Sequence, residues 1–232
     1  MAGHSKFHNI KHRKERQDSK RAKVFTKIGK ILTIAARNGT DPKMNPSLRT
    51  ALEAARRANM PKDNIKNAIN KAADKNADIE VKYTGYGPGK IAFLIEGITD
   101  NSNRTFTELK VLFNKYGSGL NDLSFMFEHI ALANIKSTND EKVSEDDVLE
   151  LLADFDIDDI YEDDGINVIA NFSDLFNIQN ALESKFSEII CESAYKTTSK
   201  IDAEDIEKVK NFIDIMEDHD DVQNVWHNCS NI

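Results

Sequence analysis

The sequence has few of the residues on which several protein classes depend. It contains only two cysteines, Cys191 and Cys229, and no CxxC pair, so we expect a reducing compartment without structural disulfides or a cysteine-based zinc site. No stretch approaches the roughly 18 apolar residues of a membrane-spanning helix. The N-terminus lacks the apolar segment of a secretory signal. The expected location is therefore cytoplasmic.

Motifs of the common catalytic sites are missing as well. There is no Walker loop, GxSxG, HExxH or dinucleotide fingerprint, and the Asp163–Gly165 turn lacks the spacing of a calcium loop. His4, His8 and His12 would share one face of a continuous helix, but no acid or cysteine joins them at ligand spacing. A solvated basic surface is the favoured interpretation of these histidines. We predict a protein that is not an enzyme and needs no cofactor or metal.

Charge is distributed very unevenly along the chain. Residues 1–77 contain 19 Lys and Arg against 6 acids, whereas residues 78–232 contain 12 against 33, which together give the net charge of -8. A basic module is thus attached to an acidic body. Fixed positive charge suits a polyanion, because neutralising phosphates releases condensed counterions. One alternative stays open, namely that the basic module docks on the acidic body of its own chain.

The highest density of positive charge lies between Lys6 and Lys30, where ten Lys or Arg accompany two acids. We predict that these cations contact phosphates, that His and Asn side chains bond to bases or sugars, and that Phe7 stacks on a base. No recognition helix is evident in this segment, so DNA and RNA both remain possible targets. The predicted nucleic-acid-binding residues are Lys6, Phe7, His8, Asn9, Lys11, His12, Arg13, Lys14, Arg16, Lys20, Arg21, Lys23 and Lys27.

The spacing of apolar residues predicts three domains. Helical spacing over residues 18–36, 47–59 and 61–73 indicates a small bundle, with a linker at 75–78. The predicted fold class is α+β, with this N-terminal helical bundle followed by two ferredoxin-like α+β domains, one inserted in the other. The predicted domains are a basic helical domain at 1–77, an α+β domain at 78–129 plus 194–232, and an inserted acidic α+β domain at 130–193.

Apolar runs predict the individual strands of the two α+β domains. A buried strand is expected at 91–98, and separate short strands are expected at 123–128 and 130–135. A hairpin is predicted around the Asp163–Gly165 turn, and a further strand at 186–193.

Two turns offer groups to a partner. The segment GYGPG at 85–89 could cradle an anion or present Tyr86, although a tight turn into a strand is the simpler interpretation. Residues 99–105 are rich in helix-capping side chains, yet Arg104 stands near a predicted helix start, where the helix dipole disfavours a cation. We expect Arg104 to pair with Asp100 or Glu96, or to face a ligand. The possible partner or ligand surface comprises Tyr86, Asp100, Asn103 and Arg104.

Several motifs together resemble the YebC/PmpR family. They include MAGHSKFHNIKHRKERQDSKRAKVFTK, NP-LR-AL, NMPKDNI, GYGPG, TDN-NRT at 99–105 and DVQNVWHN. This family comprises transcriptional regulators and mitochondrial relatives that activate translation. The resemblance covers the whole length and implies three domains, the third inserted in the second, in a cytoplasmic non-enzymatic regulator. Phe7 stands where the family usually has Trp, and the acidic inserted domain matches least.

The resemblance leaves two classes of function open. One is a DNA-binding transcriptional regulator, and the other is a translation factor that binds the ribosome or mRNA through the same basic module. A protein-interaction adaptor without a nucleic-acid role is a third possibility. It predicts that removal of residues 1–77 leaves partner binding intact.

Overall fold

The computed structural model describes residues 21–73, 78–138 and 142–232, and it gives Arg21 by its backbone alone. These residues form a mixed α+β structure with N-terminal helices and two four-stranded antiparallel sheets. The helices are α1 (Arg21–Ala36), α2 (Pro46–Arg57), α3 (Lys62–Lys71), α4 (Ser102–Tyr116), α5 (Glu145–Leu151), α6 (Leu175–Glu183) and α7 (Ile206–Glu217). The strands are β1 (Ile79–Tyr86), β2 (Ala92–Thr99), β3 (Gly119–Leu120), β4 (Phe127–Ile135), β5 (Ile157–Glu162), β6 (Ile166–Asn171), β7 (Ile189–Thr197) and β8 (Val222–His227).

Chain contacts divide these elements into two compact units. One unit contains the described residues up to Phe125 together with 199–232, and the other contains the described residues from Met126 to Thr198. The first unit holds α1 to α4, β1 to β3, α7 and β8, and the second holds β4 to β7 with α5 and α6.

The three N-terminal helices pack through small and branched side chains. Leu32 of α1 and Leu48 of α2 are completely buried against several alanines. Asn45 joins α1 to α2, because its side chain accepts a hydrogen bond from the Leu48 amide and donates to the carbonyls of Ala35 and Gly39. One buried asparagine therefore caps the start of α2 and satisfies a carbonyl at the end of α1.

The first sheet has the strand order β3-β1-β2-β8. Phe93, Phe113 and Phe212 form its core with α4 and α7, and their rings meet edge to face at centroid distances of 4.9 to 6.5 Å. The turn between β1 and β2 requires glycine, because a Cβ at Gly87 would lie 2.4 Å from the Phe93 ring. This close approach explains the GYGPG segment as a turn packed directly on the aromatic core.

The second sheet has the order β5-β6-β4-β7, with all neighbours antiparallel. Ala131, Ala133 and Ile135 of β4 alternate toward α5 and α6, where they form a core with Val148 and Leu182. Ser144 begins α5 by accepting a hydrogen bond from the Asp147 amide.

Some predicted strands were wrong in position. Residues 124–126 form a 3-10 turn, and the strands predicted at 123–128 and 130–135 are replaced by the single strand β4. A strand was also predicted at 186–193. The observed strand, β7, instead runs from Ile189 to Thr197, because Phe186 packs into the core after α6. β1 was missed, although the sequence IEVKYTGY alternates apolar and polar residues as a half-buried strand does.

None of the helices in the described part of the chain combines the length and the apolar character that crossing a bilayer requires.

Candidate nucleic-acid interface

The predicted nucleic-acid-binding residues are covered by the structure only in part. Those from Lys6 to Lys20 lie outside the described residues, and Arg21 stands at the first position of α1. The structure does place the side chains of Lys23 and Lys27 on α1. Whether these two lysines contact phosphate stays a prediction.

Lys23, Lys27 and Lys30 form one stripe along α1 and face the end of α7. Lys23 Nζ donates to the Asp218 carbonyl at 2.8 Å, and Lys27 Nζ donates to the Glu217 carbonyl at 2.7 Å. Spacings of four and three residues place the side chains on the same helical face. The lysine stripe therefore meets the C-terminus of α7 within the same unit.

The physical reason for this contact is the charge at the end of α7. The last carbonyls of a helix lack partners within the helix and carry its partial negative charge. α7 has no basic residue in its last turn, and the chain there continues through Asp218, Asp220 and Asp221. The lysines of α1 provide the positive charge that α7 itself lacks, as the intramolecular docking alternative expects.

Asp221 is the centre of this contact and is buried. Its Oδ1 accepts a hydrogen bond from Lys30 at 2.6 Å. Its Oδ2 accepts hydrogen bonds from Arg104 at 2.8 Å and from Thr105 at 2.7 Å. The remaining two Lys30 hydrogen bonds go to the carbonyls of Ile98 and Asp220. One carboxylate thus joins α1, the start of α4 and the loop before β8, an arrangement we name the Asp221 clamp (Lys30, Arg104, Thr105 and Asp221).

The hydrogen-bond donors of the Asp221 clamp keep its carboxylate ionised. Burial by itself would raise the pKa of the Asp221 carboxyl. The hydrogen bonds from Lys30, Arg104 and Thr105 outweigh that cost and hold the pKa of Asp221 well below its ordinary value. A permanently ionised carboxylate between two cations is the expected state across the neutral pH range.

Glu108, His219 and Asp221 have ligand atoms within 4.8 Å of one another, as a metal site requires. His219 Nε2 lies 3.0 Å from Glu108 Oε2, and its Nδ1 accepts a hydrogen bond from the Asp221 amide. However, both oxygens of Asp221 already accept hydrogen bonds, and two of their donors, Lys30 and Arg104, are cations. A further cation would be repelled at this position, so His219 serves to fix the loop.

Of the residues of the predicted partner surface, Arg104 and Asp100 lie at the edge of the Asp221 clamp. Arg104 pairs with Asp100 at 2.8 Å and with Asp221 at 2.8 Å. Glu96 instead accepts hydrogen bonds from Asn224 and Trp226. Asn103 is exposed on α4 and is not brought to Tyr86, which ends β1 and is half-buried.

Three members of the Asp221 clamp, namely Lys30, Thr105 and Asp221, were not among the predicted site residues. The regular spacing of the α1 lysines is a signal that they face one surface. The other signal is that two of the family-like motifs, TDNSNRT at 99–105 and DVQNVWHN at 221–228, meet at Asp221.

The cations of α3, in contrast, face solvent. α3 exposes Lys62, Lys66 and Lys71 together with Asn64, Asn67 and Asn70, and the only acid on this exposed side is Asp63. Ala68 is buried, and Ile65 and Ile69 are half-buried on the inward side. Within the described residues, α3 therefore presents a surface rich in hydrogen-bond donors and positive charge.

Comparison with known proteins relates the whole chain to one family. Residues 5–75 match the model of the TACO1/YebC protein N-terminal domain. Residues 79–229 match the model of the TACO1/YebC second and third domain. The fold is similar to the crystal structure of a conserved hypothetical protein, Aq1575, from Aquifex aeolicus. The TM-score is 0.79 at 32% identity, over 92% of this chain and 91% of that chain.

Proposed function

The chain belongs to the TACO1/YebC family, and we propose that it is a non-catalytic regulator of gene expression that binds nucleic acid through its basic N-terminal module. The family is generally regulatory. The observation that carries the proposal is the separation of charge, with 13 net positive charges on residues 1–77 and a strongly acidic remainder. Such a chain presents one end to phosphates and repels them elsewhere.

The α3 surface and the segment before α1 are the parts of the module that we assign to nucleic acid. Lysines bind phosphates as point charges, and asparagine side chains can pair with the edge of adenine. Lys23, Lys27 and Lys30 have carbonyl or carboxylate partners at the end of α7. We therefore assign to the α1 lysines a role in holding the module in place, so that α3 and residues 6–20 provide phosphate contacts.

DNA is the first candidate target, in a role as transcriptional regulator. α2 and α3 are joined by the short turn at residues 58–61, in which Asn59 has a left-handed φ of 54°. α3 follows this turn and exposes lysines and asparagines, so we propose α3 as the helix that contacts DNA. A role in translation, with ribosomal or messenger RNA as the target, is the alternative that the experiment must separate.

We further propose that the acidic residues, predicted at 130–193 and extended by the pairing of β4 with β7 to the unit 126–198, form a ferredoxin-like domain inserted in a second α+β domain made of the chain on either side. The sheet order β5-β6-β4-β7 and the chain order β-α-β-β-α-β support this description of the acidic unit. The division of the chain near residues 125 and 198 supports the insertion.

Fractionation of a cell lysate on a sucrose gradient, with and without nuclease, tests the proposal. Co-migration with ribosomes that nuclease treatment abolishes indicates an RNA target, and recovery on promoter fragments indicates DNA. Reversal of Lys11, Arg13 and Lys14 to Glu is expected to abolish either association. Unchanged association of this variant would mean that residues 6–20 are not the contact.

A further inference from the structure

Three aromatic rings stack in a row at one end of the second sheet. His129 on β4 pairs with Tyr195 on β7, and Phe172 follows directly after Asn171, which pairs with Ile130. The Phe172 and His129 rings are stacked at 3.7 Å between centroids, and the His129 and Tyr195 rings are stacked at 4.8 Å. We name Phe172, His129 and Tyr195 the aromatic row.

His129 and Tyr195 lie on the same face of the sheet as the residues that α5 and α6 cover. They stand beyond the part of that face that the two helices reach. Ala131 and Cys191, two and four residues further along these strands, are buried under α5 and α6. Phe172, by contrast, is 40% exposed, and Phe176, one helical turn later, is 46% exposed. Two phenylalanine rings therefore remain open to solvent beside a stacked histidine and tyrosine, which is unusual for a surface without a partner.

The surroundings of the aromatic row are strongly acidic. Residues 126–198 contain 18 Asp and Glu but only four Lys. Asp154 and Asp156 are exposed just before β5, at the same end of the sheet as Phe172. Lys196, the one cation at this end among the described residues, is already paired with Glu128 and Asp158.

We propose that the surface formed by Phe172, Phe176 and the neighbouring acids binds an arginine-rich segment of another protein. The face of an aromatic ring attracts a cation, and the planar guanidinium group stacks on it while still donating to carboxylates. Nucleic acid also stacks on aromatic rings, but its phosphates would be repelled by the net charge of -14 on residues 126–198. This surface is separate from the basic module, so the two proposals can fail independently.

Fluorescence anisotropy with the full chain and a fluorescein-labelled peptide of alternating Arg and Gly tests the proposal. The unmodified chain is expected to bind this peptide several-fold more tightly than the same peptide with Lys, because lysine does not stack. The variant Phe172→Leu/Phe176→Leu keeps apolar volume but removes both rings. We expect it to bind the arginine peptide about tenfold more weakly.

The matched control is Phe106→Leu, which removes a ring of similar exposure, 42%, from α4 in the other unit. This variant should bind the arginine peptide as the unmodified chain does. A Phe176→Leu single variant, which leaves the aromatic row intact, should show part of the loss and so excludes an effect of misfolding. The proposal is overturned if the double variant binds the arginine peptide normally, if it loses both peptides equally, or if a single-stranded RNA probe shows the same loss.

Discussion

Lys30 and Asp221 join the helical module to the loop that leads into β8 of the first sheet. Lys30 Nζ lies 2.6 Å from Asp221 Oδ1, between positions 191 residues apart in the chain. The two side chains are 15% and 5% exposed, so the pair is largely shielded from water and from salt. The position of α1 therefore depends on a carboxylate near the C-terminus of the chain.

Replacement of Asp221 by Asn should destabilise the fold strongly. Loss of the carboxylate leaves the largely buried ammonium of Lys30 without its charged partner, whereas the exposed Arg104 keeps its ion pair with Asp100. We expect the free energy of unfolding in urea to fall by about 3 kcal/mol, the range measured when one member of a buried pair is removed.

Asp220→Asn provides the comparison for that measurement. Asp220 is 73% exposed and lies 3.8 Å from Lys23, so its loss should change the unfolding free energy by less than about 1 kcal/mol. Equal effects of the two substitutions would show that the Asp221 clamp does not hold the module.

Asn45→Ala should destabilise the helical module. Asn45 makes three hydrogen bonds in a buried position, and its replacement leaves the carbonyls of Ala35 and Gly39 and the Leu48 amide without their partner. The expected loss is about 2 to 3 kcal/mol by urea unfolding. Asn101→Ala removes an exposed cap of α4 and should cost about 1 kcal/mol. A smaller loss at Asn45 than at Asn101 would contradict this account.

Stability should fall as the pH is lowered from about 6.5 toward 4, because of His227. Burial lowers the pKa of His227 to about 4, from an ordinary value of 6.5. Between these values the unfolded chain binds a proton that the folded chain excludes, so stability is present above pH 6.5 and is lost on acidification. The contribution is about 2 kcal/mol between pH 7 and pH 5.

The variant His227→Gln isolates that contribution. It removes the titrating group, so the unfolding free energy of the variant should change by about 2 kcal/mol less over the same pH interval. An identical pH dependence in the two proteins would show that His227 is not the source.

Much of the fold could be predicted from local signals in the sequence. Helical spacing predicted α1 and α2, and the Asp163–Gly165 turn predicted the β5–β6 hairpin. The start of β4 could not be placed in this way. Asp122 and Ser124 make a local turn at the beginning of an apolar run, so the run is divided between a turn and a strand.

The candidate site was harder to predict, since its contacts are distant in sequence. The charge of the α1 lysines indicated an anionic partner, but it does not distinguish a phosphate from the end of α7. Arg104 was expected to pair with Asp100 or Glu96, or to face a ligand, and it pairs with Asp100. Its second partner, Asp221, lies 117 positions away, and no local pattern links the two residues.

Reversal of charge on α3 should weaken nucleic-acid binding. Lys66 and Lys71 are exposed, so Lys66→Glu/Lys71→Glu should leave folding intact while it removes two phosphate contacts. In binding titrations with a DNA duplex, the plot of log K against log salt should become shallower by about 2. Lys208→Glu/Lys210→Glu makes the same change of charge on α7, where both lysines pair with acids of their own helix end, and should leave the slope unchanged.

The salt dependence of nucleic-acid binding by the full, unmodified chain tests the central claim most directly. If the basic module contacts about six phosphates, log K should fall with log salt at a slope of about -5 for a DNA duplex and about -4 for single-stranded RNA. Failure to bind either nucleic acid at low salt, or binding that salt does not weaken, would contradict the assignment of this module to phosphate.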